Sequence, residues 1–169
     1  IGGGIGAAHI NGYAQLPERF RVSAVCDLNQ ELAQSLAEQT GGRSTADIED
    51  VLADPEIDIV DICLPPSMHV PVAIRALEAG KHAIVEKPVA GSLVEADRLV
   101  AAEARSSGSV FPVFQYRYGK AFDQLAALRA AGLPGRPIAA AIETHWNRDR
   151  HYYAVPWRGS WDHELGGVV

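Results

Sequence analysis

The sequence predicts an α/β protein: a doubly wound parallel sheet with helices on both faces, followed by the start of a second domain. Three observations carry this. Short apolar runs alternate with amphipathic helical stretches at close spacing up to about residue 115, the pattern of strand–helix–strand units. A glycine-rich run, Gly2-Gly3-Gly4-Ile5-Gly6, opens the chain, and glycines let a backbone turn tightly and approach a ligand closely. A carboxylate, Asp27, ends the first apolar run.

The elements follow in order. After the glycine turn, residues 7–16 read as a helix ended by Pro17, and Val22 to Cys26 as a strand. Asn29 is a good N-cap for a helix carrying Leu32, Ala33, Leu36 and Ala37 on one face and stopped at Gly41-Gly42. Asp47 caps a short helix through Val51 and Leu52. Ile57 to Leu64 is the next strand, and Pro65-Pro66 forces a sharp exit from it. Ser67 to Ala79 is a helix with Val70, Ile74 and Leu77 inward and Gly80 as its stop. Ala83 to Val85 is a strand. Ser92-Leu93-Val94-Glu95 is a capping box, opening a helix with Leu93, Ala96, Leu99 and Val100 at helical spacing. Val110 to Phe114 is a strand, and Pro112 within it suits a sheet edge, where the sixth strand of the doubly wound order lies.

Beyond that the pattern changes. Lys120 to Ala131 reads as a helix, Gly132 to Gly135 as a turn, Ile138 to Trp146 as a strand and Asn147 to Gly159 as a long loop. The expected division is a nucleotide-binding domain over 1–117 and the beginning of a C-terminal domain over 118–169. The chain starts without Met, directly at the glycines, and stops at Val169 inside what reads as a new element. The expectation is a piece cut at both ends, lacking the sheet's first, central strand, and unstable and inactive when expressed alone.

Composition narrows the partners. The chain is 47% hydrophobic and 21% charged, ordinary for a globular domain. A net charge of −6 argues against nucleic acid or an acidic membrane surface, because no basic stripe is present to release counterions. The apolar runs are too short to span a bilayer. Cys26 and Cys63 sit inside apolar runs, which reads as reduced core thiols in a cytoplasmic protein. No spacing among the six histidines suggests a metal site, and His9, His145 and His163 are assigned to packing or surface.

The glycine run is suited to cradle a pyrophosphate. Free N–H groups and the positive dipole end of the following helix would face it. The fingerprint G-x-G-x-x-G is imperfect, since Gly2-x-Gly4-x-x-Ala7 fits only the variant ending in Ala. A plain glycine-rich turn is the alternative. Asp27 lies about twenty residues on, the spacing of the acid that binds adenine-side ribose hydroxyls. A carboxylate there repels a ribose phosphate and so favours NAD over NADP; a helix-capping Asp is the alternative. Leu64, Pro65 and His69 follow the strand that ends at Cys63. His69 is either a ligand contact or a first-turn helix residue facing solvent. Glu86-Lys87-Pro88 follows the strand before the capping box. That puts an acid and an ammonium at a strand's carboxyl end, where open α/β sheets bind ligands.

In order along the chain stand Gly6-x-x-His9, Asp27, Pro65-x-x-x-His69, Ala79-Gly80-Lys81-His82, Glu86-Lys87-Pro88, Gln115-Tyr116-Arg117 and Pro156-Trp157-Arg158-Gly159. With these the chain resembles the glucose-fructose oxidoreductase / inositol dehydrogenase / rhizopine-catabolism (Gfo/Idh/MocA) family. The resemblance implies a Rossmann domain followed by a C-terminal α/β domain with a large open sheet. It implies an NAD cofactor (NADP possible), a sugar, inositol or polyol substrate, and a homo-oligomeric full-length protein. Gly2, Gly3, Gly4, Ile5, Gly6, Asp27, Leu64, Pro65 and His69 would serve the cofactor. Lys87 would be catalytic, near the nicotinamide, polarising the substrate oxygen. Glu86 would contact the nicotinamide ribose region, and the Lys87-Pro88 bond would be cis. Gln115 and Arg117 would approach the nicotinamide end, and Trp157 and Arg158 the cofactor or substrate. Arg148, His151, Tyr152 and Tyr153 are candidate substrate contacts. The family's usual proton acceptor, a His paired with an Asp, would fall beyond Val169. Two rival functions remain: glycoside hydrolysis by transient oxidation on a held NAD, and non-catalytic cofactor binding.

Overall fold

The computed structural model describes residues 1–143, 145 and 147–165. They form two compact units, one of Ile1–Val113 joined by the chain from Gly159 onward, the other of Phe114–Arg158. The sequence suggests a single boundary near residue 117; in the structure the first unit also takes back the chain after Arg158.

In the first unit, helix α1 (Gly3–Tyr13) begins inside the glycine run, earlier than the expected residue 7. The turn is confined to Ile1-Gly2. Gly2 caps the helix with φ 89°, and a Cβ there would lie 2.5 Å from the Cys63 carbonyl oxygen, so only glycine fits. Strand β1 (Ala24–Cys26) follows, then α2 (Gln30–Thr40), capped as expected by the Asn29 side chain accepting from Leu32 N–H and stopped at left-handed Gly41. Strand β2 (Arg43–Thr45) was not anticipated, being three polar residues with no apolar run to mark it. Asp47 accepts from Glu49 N–H at the start of α3 (Glu49–Leu52). Strand β3 (Ile59–Ile62) leads through a 3-10 turn at Pro66–Met68 into α4 (His69–Glu78). Strand β4 (His82–Val85), α5 (Leu93–Glu103) and β5 (Val110–Pro112) complete the alternation.

All pairings are parallel, in two sheets ordered β1-β2 and β3-β4-β5. This is the strand order of a doubly wound sheet on either side of its switch point. The backbone of Ile1-Gly2 joins the halves: Gly2 N–H donates to Cys26 O, Ile1 N to Asp61 O, and Cys63 N–H to Ile1 O. Below this bridge a cavity of about 130 Å³ runs between the halves, lined by Val25, Cys26, Leu36, Val60 and Ile84 among others. β5 lies at the sheet edge, where Pro112 is tolerated.

The main core lies on one face of β3-β4, where Val60, Ile62, Ala83 and Val85 meet Val70, Ala73, Ala76, Leu77 and Leu99. Each fully buried Val, Ile or Leu side chain contributes roughly 1.5–3 kcal/mol. Val25 with Ala33, Leu36 and Ala37 forms a smaller core under α2. Successive residues of β3 point to opposite faces. Val60 and Ile62 therefore face α4, while Asp61 faces α1. The α5 expectation is corrected in part: Leu99 is buried, but Leu93 is 84% and Val100 63% exposed. The buried stripe of α5 runs instead through Leu99 and Ala102. Residues 159–165 add the short helix Trp161–Glu164, which packs against the 3-10 turn at Pro66–Met68.

The second unit holds a 3-10 turn at Gln115–Arg117, a helix over Lys120–Ala130 and a 3-10 turn at Tyr152–Ala154. The strand expected over 138–146 is not seen in its described residues, and Trp146 lies outside them. Ile138 and Ile142 are 97% and 92% exposed, and no described strand lies beside them to pair their backbone. Among the described residues no helix is long and apolar enough to cross a membrane.

Candidate active site

The parallel strands put the ends of β1, β3 and β4 on one edge of the first unit, and the site is built there. At the end of β1, the Gly3 N–H donates to Asp27 Oδ2 at 2.6 Å and the Asn29 N–H to Asp27 Oδ1 at 2.8 Å. Asp27 is thus held beside the first turn of α1. Gly4 and Ile5 supply N–H groups that no carbonyl of their own helix can reach. Gly4 has nothing within 4 Å of where a Cβ would stand, and Ile5 is exposed, so this turn is open to a ligand. Gly6 sits against the Cys63 side chain. Open N–H groups, a positive helix end and a carboxylate alongside fit the pyrophosphate and ribose of a dinucleotide.

At the end of β4, Lys87 is exposed and the Lys87-Pro88 bond is cis. Glu86 is buried beside it. Its Oε2 accepts from the Lys87 backbone N–H at 2.9 Å, and its Oε1 lies 3.1 Å from His9 Nε2. Both oxygens of the carboxylate expected at the nicotinamide ribose thus have partners within the chain. His69 opens α4 as a first-turn residue but faces inward, not to solvent: it is 1% exposed, with Nδ1 2.7 Å from Pro88 O and Nε2 2.7 Å from Leu64 O. It ties the exit of β3, at half-buried Leu64 and Pro65, to the loop carrying Lys87.

His9 and Asp61 are the site residues that sequence reasoning missed. His9 Nδ1 lies 2.8 Å from Asp61 Oδ2, which also accepts from the Tyr13 hydroxyl at 2.7 Å. Hydrogen bonding to Asp61, then to Cys63 and Glu86, pushes the His9 imidazole up to about 12 against the opposing effect of burial. Burial raises the carboxyls of Asp61 and Glu86, but the hydrogen bonds from His9 outweigh it and hold both below the usual range. Burial, then the Asp61 charge, raises the Tyr13 hydroxyl, and burial raises the Cys63 thiol. Ligating atoms of His9, Asp61 and Cys63 lie within 4.8 Å of one another, but His9 and Asp61 already spend theirs on hydrogen bonds. The available signal was an acid at the alternating position of an apolar strand, which needs a buried partner, and a histidine one helical turn past Gly6.

In the second unit Gln115 and Arg117 are exposed in their 3-10 turn. The Arg158 guanidinium lies 4.0 Å over the Tyr152 ring and 4.5 Å over the Trp157 ring, and donates to the Tyr152 hydroxyl. Arg148 lies 4.5 Å over the Tyr152 ring. Backbone N–H groups of His151 and Tyr152 donate to Asp149 and shape this loop.

Residues 1–114 match the family described as "Oxidoreductase family, NAD-binding Rossmann fold" (GFO_IDH_MocA). The levoglucosan dehydrogenase of Pseudarthrobacter phenanthrenivorans is 41% identical over 99 residues, 53% of this chain and 25% of that protein. The inositol 2-dehydrogenase of Salmonella typhimurium is 28% identical over 155 residues, 90% of this chain and 44% of that protein. The WlbA dehydrogenase of Bordetella pertussis, solved with NADH and UDP-GlcNAcA, superposes with a TM-score of 0.90 at 30% identity, covering 96% of this chain and 48% of its own. The chain therefore spans less than half the length of these relatives. On the match over residues 1–114, it belongs to the Gfo/Idh/MocA oxidoreductase family, with its NAD-binding Rossmann fold.

Proposed function

We propose that the intact protein is an NAD-preferring dehydrogenase that oxidises a secondary alcohol of a sugar, inositol or related polyol. The observation that carries this is the shared edge: an open glycine turn with Asp27 at one strand end, and exposed Lys87 at another. The N–H groups of Gly4 and Ile5 would hold the pyrophosphate, and Asp27 the adenine-side ribose. When bound, the dinucleotide supplies the hydride acceptor. Lys87 would bind the substrate oxygen and stabilise the negative charge that develops there. Gln115, Arg117, Trp157 and Arg158 are proposed as cofactor or substrate contacts on the family resemblance. A cytoplasmic, homo-oligomeric protein is part of the same reading.

The test is the intact protein incubated with NAD⁺ and a panel that includes levoglucosan, myo-inositol and other sugars and polyols. Reduced nicotinamide should accumulate with at least one of them. Glycoside cleavage without net reduction would replace this reading with the hydrolytic one. Tight NAD binding with neither reaction would point to a non-catalytic protein.

A further inference from the structure

Two histidines brace the loop that carries Lys87, one on each side of it. His9 reaches Glu86 Oε1, and the other oxygen of Glu86 holds the Lys87 backbone N–H. His69 reaches Pro88 O. The second nitrogen of each ring is anchored at the end of β3: His9 on Asp61, His69 on Leu64 O. The loop after β4 is thus tied to the neighbouring strand by side chains on one side and by backbone carbonyls on the other.

We propose that His9 and His69 are positioning residues that set Lys87 for its work on the substrate oxygen; this rests on the function proposed above. Each ring thus stands between two acceptor oxygens, one near each of its nitrogens. An imidazole holds those nitrogens rigidly at opposite sides of one flat ring and can span two strand ends. A glutamine carries both of its N–H bonds on a single nitrogen and satisfies one partner. Placement matters because a misplacement of about 1 Å costs about a hundredfold in rate. Tyr13 steadies the far side by donating to Asp61, so the His9 brace begins on the helix that follows the glycine turn.

The test uses the intact protein with His9→Gln, His69→Gln, Lys87→Ala and the double variant His9→Gln/Lys87→Ala. Turnover of a polyol should fall about tenfold or more in each histidine variant, with KM and the NADH dissociation constant within about threefold. Added to Lys87→Ala, His9→Gln should cost less than about twofold more, because its effect passes through the amine already removed. Losses that multiply in full, or NADH affinity that falls in step with turnover, would overturn the proposal. A second readout needs no turnover. After reductive ¹³C-methylation, the Lys87 resonance, identified by its loss in Lys87→Ala, should be single in the parent and shifted or split in His9→Gln. An unchanged resonance rejects the brace even in a protein whose polyol activity is never found. Absence of polyol turnover, or full turnover by Lys87→Ala, would instead count against the proposed function. His9 is the more exposed of the two histidines, so His9→Gln decides the matter should His69→Gln fail to fold.

Discussion

His9 is a cation shared by two carboxylates, and the consequence is a particular pH dependence. An imidazole raised on folding from its ordinary 6.5 to about 12 gives its full stabilisation below pH 6.5 and loses it progressively as pH rises toward 12. Asp61 and Glu86 are lowered, so their share is present above the usual carboxylate range and is lost as pH falls through their folded values. The melting temperature of the intact protein should therefore decline between about pH 6.5 and pH 9, and His9→Gln should flatten that decline. An identical slope in the variant would mean that His9 is not protonated in the folded state. Asp27 carries a different expectation. Asp27→Ala should weaken NADH binding about tenfold and NADPH binding less, measured by fluorescence titration. Equal losses for both would deny Asp27 a part in choosing between them.

At the scale of elements, the glycine turn and the caps make the sharpest claims. Gly2→Ala must adopt a left-handed conformation and press a methyl against the Cys63 carbonyl. A loss of at least about 1–3 kcal/mol is expected from thermal unfolding, and a neutral result would contradict the observed turn. Asn29→Ala removes a cap that accepts from Leu32 N–H and should cost about 1 kcal/mol. These elements were legible because their signals are local: Asn29 before an apolar stripe, Ser92 before Glu95, Gly41 and Gly80 as stops. β2 was not, because three polar residues become a strand only through β1. The outward turn of Leu93 and Val100 and the absence of pairing over 138–143 have the same origin: periodicity marks a face but not what covers it. The site was legible in the same measure. Asp27 and Lys87 stand at strand ends that the pattern locates, whereas His9 finds Asp61 and Glu86 only once folding brings α1 beside β3 and the loop after β4.

At the scale of the molecule, the parallel sheet turns distant stretches of sequence into one edge. Gly3 to Gly6, Asp27, Leu64 and Lys87 meet there because every strand they follow runs in the same direction. On the proposed function the edge has two ends with separable work: the glycine turn for the dinucleotide, Lys87 for the reacting oxygen. Gly4→Val should expose the first of these. A Cβ there meets nothing within 4 Å, so folding should be little changed while NADH affinity falls. The most direct test takes the other end: turnover and the NADH dissociation constant, measured side by side for the intact protein and Lys87→Ala. Turnover is expected to fall by about a hundredfold or more while the dissociation constant stays within about threefold. Turnover that survives the loss of the amine would contradict the assignment of Lys87.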